Sequence, residues 1–177
     1  KLESMNKIDG YLKQFVVQFS GLKNGLHTYE FEIGNLFFER FKIEDVTGGE
    51  IHLDFSLNKK DTSMVLEFDF SGILHGVCDR CLDPLNFIVT NEHELQVKFG
   101  EETNTENDEL LVLGYDEFKI DIAPMVYEFI SLSVPLRKVH DEENCNPEVM
   151  KQLNTANFEE DTENETPSIW ENLKKLK

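Results

Sequence analysis

Two of the three cysteines in this sequence, Cys78 and Cys81, enclose only Asp79 and Arg80, within GVCDRCLDPLNF. A C-x2-C turn offers two thiolates from one tight knuckle, and zinc requires four ligands in tetrahedral geometry. The remaining cysteine is Cys145, and His140 stands five residues before it in HDEENC. Cys78, Cys81, His140 and Cys145 therefore make a candidate Cys3His zinc set, provided that the last two fold back onto the turn. Ordinary reduced thiols, packed as small apolar side chains, are the alternative. A thiol–disulfide role fits poorly. A redox C-x-x-C opens a helix whose N-terminus lowers the first thiol's pKa, whereas here Asp83-Pro84 and a strand-like run follow.

Other chemistry is sparse. His27, His52, His75 and His93 lie at strand positions with no matching acid or nucleophile nearby in sequence, and read as surface or edge residues. The chain has no glycine-rich phosphate loop, no G-x-S-x-G and no H-E-x-x-H. Carboxylates are so numerous that no pair stands out. The residues favour a binding protein over an enzyme, with no small-molecule substrate implied.

Charge is the strongest global feature: 35 acids against 17 bases, a net −18. Such a chain is repelled at long range by nucleic acid and anionic membrane and attracted to basic proteins. The distribution is uneven. Glu101 to Glu109 (EETNTENDE) is an acidic loop, and Asp141 to Glu165 holds nine acids and one lysine. The bases are grouped at Lys59-Lys60, at Arg80, at Arg137-Lys138 and at Lys174, Lys175 and Lys177. Arg80 with Asp79 in the cysteine turn, Arg137 and Lys138 beyond a predicted helix, and Trp170 near the end of the chain are the candidate partner contacts. No apolar run approaches the ~18 residues that span a bilayer. KLESMNKIDG has no apolar signal-peptide core, and Met5 is a candidate native start. The expectation is a cytoplasmic protein without membrane contact, its cysteines reduced.

The elements that must position these residues read mainly as strands. Phe15, Val17 and Phe19 alternate, as do Tyr29, Phe31 and Ile33, then Ile51, Leu53, Phe55 and Leu57, the period of half-buried strands. Met64, Leu66, Phe68 and Phe70 lead a strand toward the cysteine turn, and Leu85 to Phe99 leads away from it. Short polar links predict antiparallel neighbours. Asn35 to Phe41 (NLFFERF) is a helical turn or a strand. From Asp121, a candidate N-cap, Ile122, Met125, Val126, Phe129 and Ile130 fall at helical spacing, and Val134-Pro135 closes that helix. Ser168 and Glu171 have capping-box spacing ahead of a stripe of Ile169, Trp170, Leu173 and Leu176. The expected fold is α+β: mainly antiparallel sheet, one packed helix and a short C-terminal helix. A single domain over residues 6–140 precedes an acidic tail over 141–177.

Three segments in order, VCDRCLDPLNF, FKIDIAPMVYEFISLSVPLRKVHDEENC and PSIWENLKKLK, make the chain resemble the YceD-like family of large-ribosomal-subunit RNA accumulation proteins. The resemblance covers roughly residues 65–177. Cys78, Arg80 and Cys81 match the family's C-x-R-C turn; His140 and Cys145 match its segment after the helix. One branch of the family carries a further cysteine-rich knuckle there, where this chain has Cys145 alone. The resemblance implies a non-enzymatic role in the accumulation or processing of large-subunit (23S) rRNA, with ribosomal proteins or precursor rRNA as partners. The alternative is a zinc-binding or thiol-dependent interaction module without a ribosomal role.

Overall fold

The computed structural model describes residues 2–101, 103–107 and 110–156. They gather into two compact units, Lys1–Val139 and His140–Lys177. In the first unit the chain runs through α1 (Leu2–Leu12), a 3-10 turn (Lys13–Phe15), β1 (Val16–Gln18), β2 (Gly25–Ile33), α2 (Asn35–Arg40), β3 (Val46–Lys59), β4 (Ser63–Val77) and β5 (Pro84–Gly100). It continues as β6 (Asn104–Asn107), β7 (Leu110–Gly114), β8 (Lys119–Asp121) and α3 (Ala123–Ser133). In the second unit a 3-10 turn (Glu142–Asn144) precedes α4 (Pro147–Ala156). Among the described residues no helix is long and apolar enough to cross a membrane.

Alternation decides the main sheet. Its order is β2-β3-β4-β5-β7-β6. Ile51, Leu53, Phe55 and Leu57 of β3 and Met64, Leu66, Phe68 and Phe70 of β4 are buried on one face, with Leu95 and Val97 of β5. The helix α3 covers this face: Phe129 packs edge-on to Phe68 at 5.1 Å and lies flat on His93 at 4.1 Å. β1 and β8 form a separate two-stranded sheet. Phe15, just before β1, stacks on Phe31 at 5.2 Å. The Lys59 ammonium closes the β1–β2 connection by donating to the carbonyls of Phe19 and Leu22, each at 2.9 Å.

The α+β class and the antiparallel β2 to β5 meander agree with the sequence reading. β7 departs from it by running parallel to β5, pairing Gln96–Gly100 with Leu110–Gly114. Asn35–Arg40 is helical, burying Phe37 and Phe38. Asp121 precedes the N-cap position, which Ile122 occupies, yet its carboxylate still accepts the Ala123 N–H at 3.0 Å. α1 and α4 were not expected. The polar composition after His140 predicts a tail, and the structure has a helix in it. Helix formation there starts at Pro147, and the Asn146 side chain accepts the Glu148 N–H at 3.1 Å. The terminal stripe with Trp170 lies outside the described residues.

One close approach shapes the sheet. Gly72 of β4 faces Ile51 of β3. A Cβ at this position would overlap the Glu50 carbonyl oxygen and stand 2.6 Å from Ile51 Cα. Only glycine lets the two backbones come that near.

Candidate metal centre and acidic face

The cysteine turn is the hairpin connection between β4 and β5. Cys78 N–H donates to the Asp83 carbonyl at 2.9 Å, and Leu82 N–H donates to the Cys78 carbonyl at 2.8 Å. Leu82 adopts φ 62°, the left-handed conformation that turns the chain back into β5. Both thiols of the knuckle are buried, as is that of Cys145, and His140 is half-buried. The Sγ atoms of Cys78, Cys81 and Cys145 and a ring nitrogen of His140 all lie within 4.8 Å of one another. A tetrahedron with Zn–S arms of about 2.3 Å has ligand atoms about 3.8 Å apart, within that distance. The donors are three thiols and one imidazole, a shell that suits zinc and uses all four positions. The four residues that the spacing nominates are a group that could hold a metal ion.

Beside this cluster, Asp79 and Lys138 grip each other. The Asp79 N–H donates to the Lys138 carbonyl at 2.7 Å, and the Lys138 N–H donates to Asp79 Oδ2 at 2.6 Å. The Lys138 ammonium then lies 3.6 Å from Asp79 Oδ1 and 3.3 Å from Asp45 Oδ2, with only 6% of the side chain exposed. This changes the reading of the basic group. Arg80 is half-buried and Arg137 is exposed on adjoining segments, but Lys138 points inward. A buried ammonium needs paired carboxylates to offset its desolvation, and here two share it. Asp79 is equally committed to this grip.

The sequence showed abundant acid without an arrangement; strand register supplies one. Glu30 of β2 faces Asp54 of β3, Asp54 faces Asp69 of β4, and Asp69 faces Glu92 of β5. Four carboxylates thus run side by side across four strands. Glu67 and Glu94 pair in the next row, and Glu32 lies beyond Glu30 on the same face. All seven are exposed. Like charges directly opposite on a sheet are destabilising. His52 stands among these acids, 2.8 Å from Glu32 and 3.4 Å from Asp54, and Lys98 lies further along β5 on the same face, opposite Ser63. The hydrogen bond to Glu32 raises the His52 pKa above the ordinary imidazole value, supported by the Asp54 charge.

His93 is not an edge residue. Its ring is stacked against Phe129 and faces Phe70 at 6.1 Å. Its Nε2 is buried without a hydrogen-bond partner. Burial lowers its pKa, against a smaller opposing effect of Glu128. The signal available in sequence was its parity with Val89 and Leu95 on the inward side of β5.

No curated protein and no solved structure matches this chain. Residues 66–177 match the family model described as large ribosomal RNA subunit accumulation protein YceD, a span that includes the knuckle, α3, His140 and Cys145. That span exceeds half of the sequence, and the chain belongs to the YceD family.

Proposed function

We propose that this protein is a non-enzymatic factor supporting accumulation of large-subunit rRNA, and that it acts by holding basic ribosomal proteins on its acidic sheet face. The family description supports the rRNA connection. The row Glu30, Asp54, Asp69 and Glu92 carries the partner reading. A fold that sets like charges shoulder to shoulder loses stability unless a cation answers them. A lysine- or arginine-rich polypeptide supplies cations, whereas an RNA backbone would be repelled. Burial of Lys138 removes one of the three bases named as candidate partner contacts, leaving Arg80 and Arg137 as candidates for a smaller role.

The cysteine–histidine set is proposed to hold a structural zinc. Four protein ligands leave no open position for a reacting water, the pattern of structural rather than catalytic sites. Protein produced with zinc available should carry one zinc per chain by elemental analysis; a metal-free product excludes this part of the proposal. For the partner, tagged protein should retain ribosomal proteins after RNase treatment. Their loss on RNase would transfer the role to precursor rRNA contact through Arg80 and Arg137. Cells lacking the protein should show less large-subunit rRNA relative to small-subunit rRNA, and an unchanged ratio would refute the function itself.

A further inference from the structure

We infer that Asp79 and Lys138 are positioning residues for the metal set, aligning the knuckle with the segment that presents His140. The inference rests on the zinc reading above. Asp79 follows the ligand Cys78 directly, and Lys138 stands two residues before the ligand His140. Two reciprocal bonds join them, Asp79 N–H to the Lys138 carbonyl at 2.7 Å and Lys138 N–H to Asp79 Oδ2 at 2.6 Å. Cys78 is therefore one backbone step, and His140 two, from a fixed hydrogen-bonded point. The geometry is bidirectional, so neither segment can slide along the other without breaking one of the bonds.

The ion pair adds a lock. The Lys138 ammonium is buried between Asp79 at 3.6 Å and Asp45 at 3.3 Å. Asp45 belongs to the loop between α2 and β3 and itself adopts φ 63°. Three segments distant in sequence thus meet at one charge. Low exposure keeps solvent from competing for that ammonium, and the lysine stem is held along with it. Groups that orient metal ligands from outside the coordination shell commonly change metal affinity 10–100-fold when removed. Asp79 and Lys138 meet that description without touching the metal.

The test measures zinc affinity by competition with a chromophoric chelator, and the visible absorption of the Co2+-substituted protein. It uses the full chain as wild type, Asp79→Ala, Asp79→Asn and Lys138→Met, each checked for native far-UV circular dichroism. Asp79→Ala should bind zinc about 10–100-fold more weakly and alter the Co2+ bands, because ligand alignment relaxes. Asp79→Asn keeps an oxygen acceptor for the Lys138 N–H and should recover most of that affinity. Lys138→Met should fall between them. A purely structural role would lower thermal stability while leaving affinity and Co2+ bands unmoved, and that result overturns the inference. So does an Asp79→Ala protein that binds zinc as tightly as wild type. A wild-type chain that binds neither ion instead defeats the zinc reading on which the inference stands. Should Asp79→Ala fail to fold, Asp79→Asn and Lys138→Met decide the matter: if both match the wild-type affinity, the grip does not position the metal ligands.

Discussion

Asp69→Asn should make the protein more stable. The side chain stands between Asp54 and Glu92 on neighbouring strands, so its charge meets two like charges at once. Directly opposed side chains have Cβ atoms about 5 Å apart, and exposed carboxylates can splay to roughly 6 Å. In water-like dielectric, unit charges at about 6 Å repel by about 0.7 kcal/mol. Two such pairs, reduced by screening and side-chain freedom, leave an expected gain of about 1 kcal/mol at low salt. For a chain of this size that corresponds to about 2–4 °C in melting temperature. The gain should shrink to a few tenths of a kcal/mol in 1 M salt, where the screening length is about 3 Å. Urea unfolding at low and high salt measures both quantities. Glu50→Gln is the control, since Glu50 faces uncharged Ile73 and should gain little. The same Asp69→Asn protein should hold less ribosomal protein after RNase treatment. A neutral or destabilising effect at low salt, or a gain that ignores salt, refutes the reasoning about the row.

His93→Phe should stabilise the fold by about 1 kcal/mol near pH 7.5, by removing a buried polar nitrogen that has no partner. Its lowered pKa favours the neutral form in the native state, so its contribution is present above about pH 6.5, the unfolded value, and is lost as pH falls below it. The stability gap between variant and wild type should therefore widen between pH 7.5 and pH 5.5 in urea titrations; a constant gap contradicts the assignment. His52 has the opposite sign, its pKa being raised, so its contribution is complete below about pH 6.5 and fades as pH rises through the native value. His52→Gln should lose stability at pH 5.5 and little at pH 8.5. Gly72→Ala should cost about 2 kcal/mol or more, because the added methyl meets backbone rather than a mobile side chain; unchanged unfolding would show that β3 and β4 can part there freely.

Much of the sheet was legible because burial on one face leaves a period-two record, clearest from Ile51 to Leu57 and from Met64 to Phe70. Helices with weaker records escaped. α4 (PEVMKQLNTA) is polar, and helix formation there depends on local capping as much as on an apolar face. The parallel β5–β7 pairing left no local trace, since strand order is decided by contacts between distant segments. The candidate metal set was legible only as a count of suitable ligands, since the spacing does not disclose which distant segments lie near the knuckle. Lys138 was misread for the same reason. Nothing beside it in sequence discloses Asp45 and Asp79, which turn a surface base into an internal one. The carboxylate row was hidden because each acid looks like an ordinary wet-face residue until the strands are placed in register.

The knuckle is also the short link between two long strands, β4 and β5. From Val77–Pro84 at the turn to Ser63–Lys98 at the far end, β4 and β5 form fifteen successive cross-strand pairs. Side chains alternate between faces, so slippage by one residue at the turn would exchange the faces of one strand along that whole length. Leu66, Phe68 and Phe70 would then meet water while Glu67 and Asp69 entered the core. A turn held by its own backbone bonds acts as the reading frame of the hairpin. Errors made at two cysteines would be written along the entire ladder.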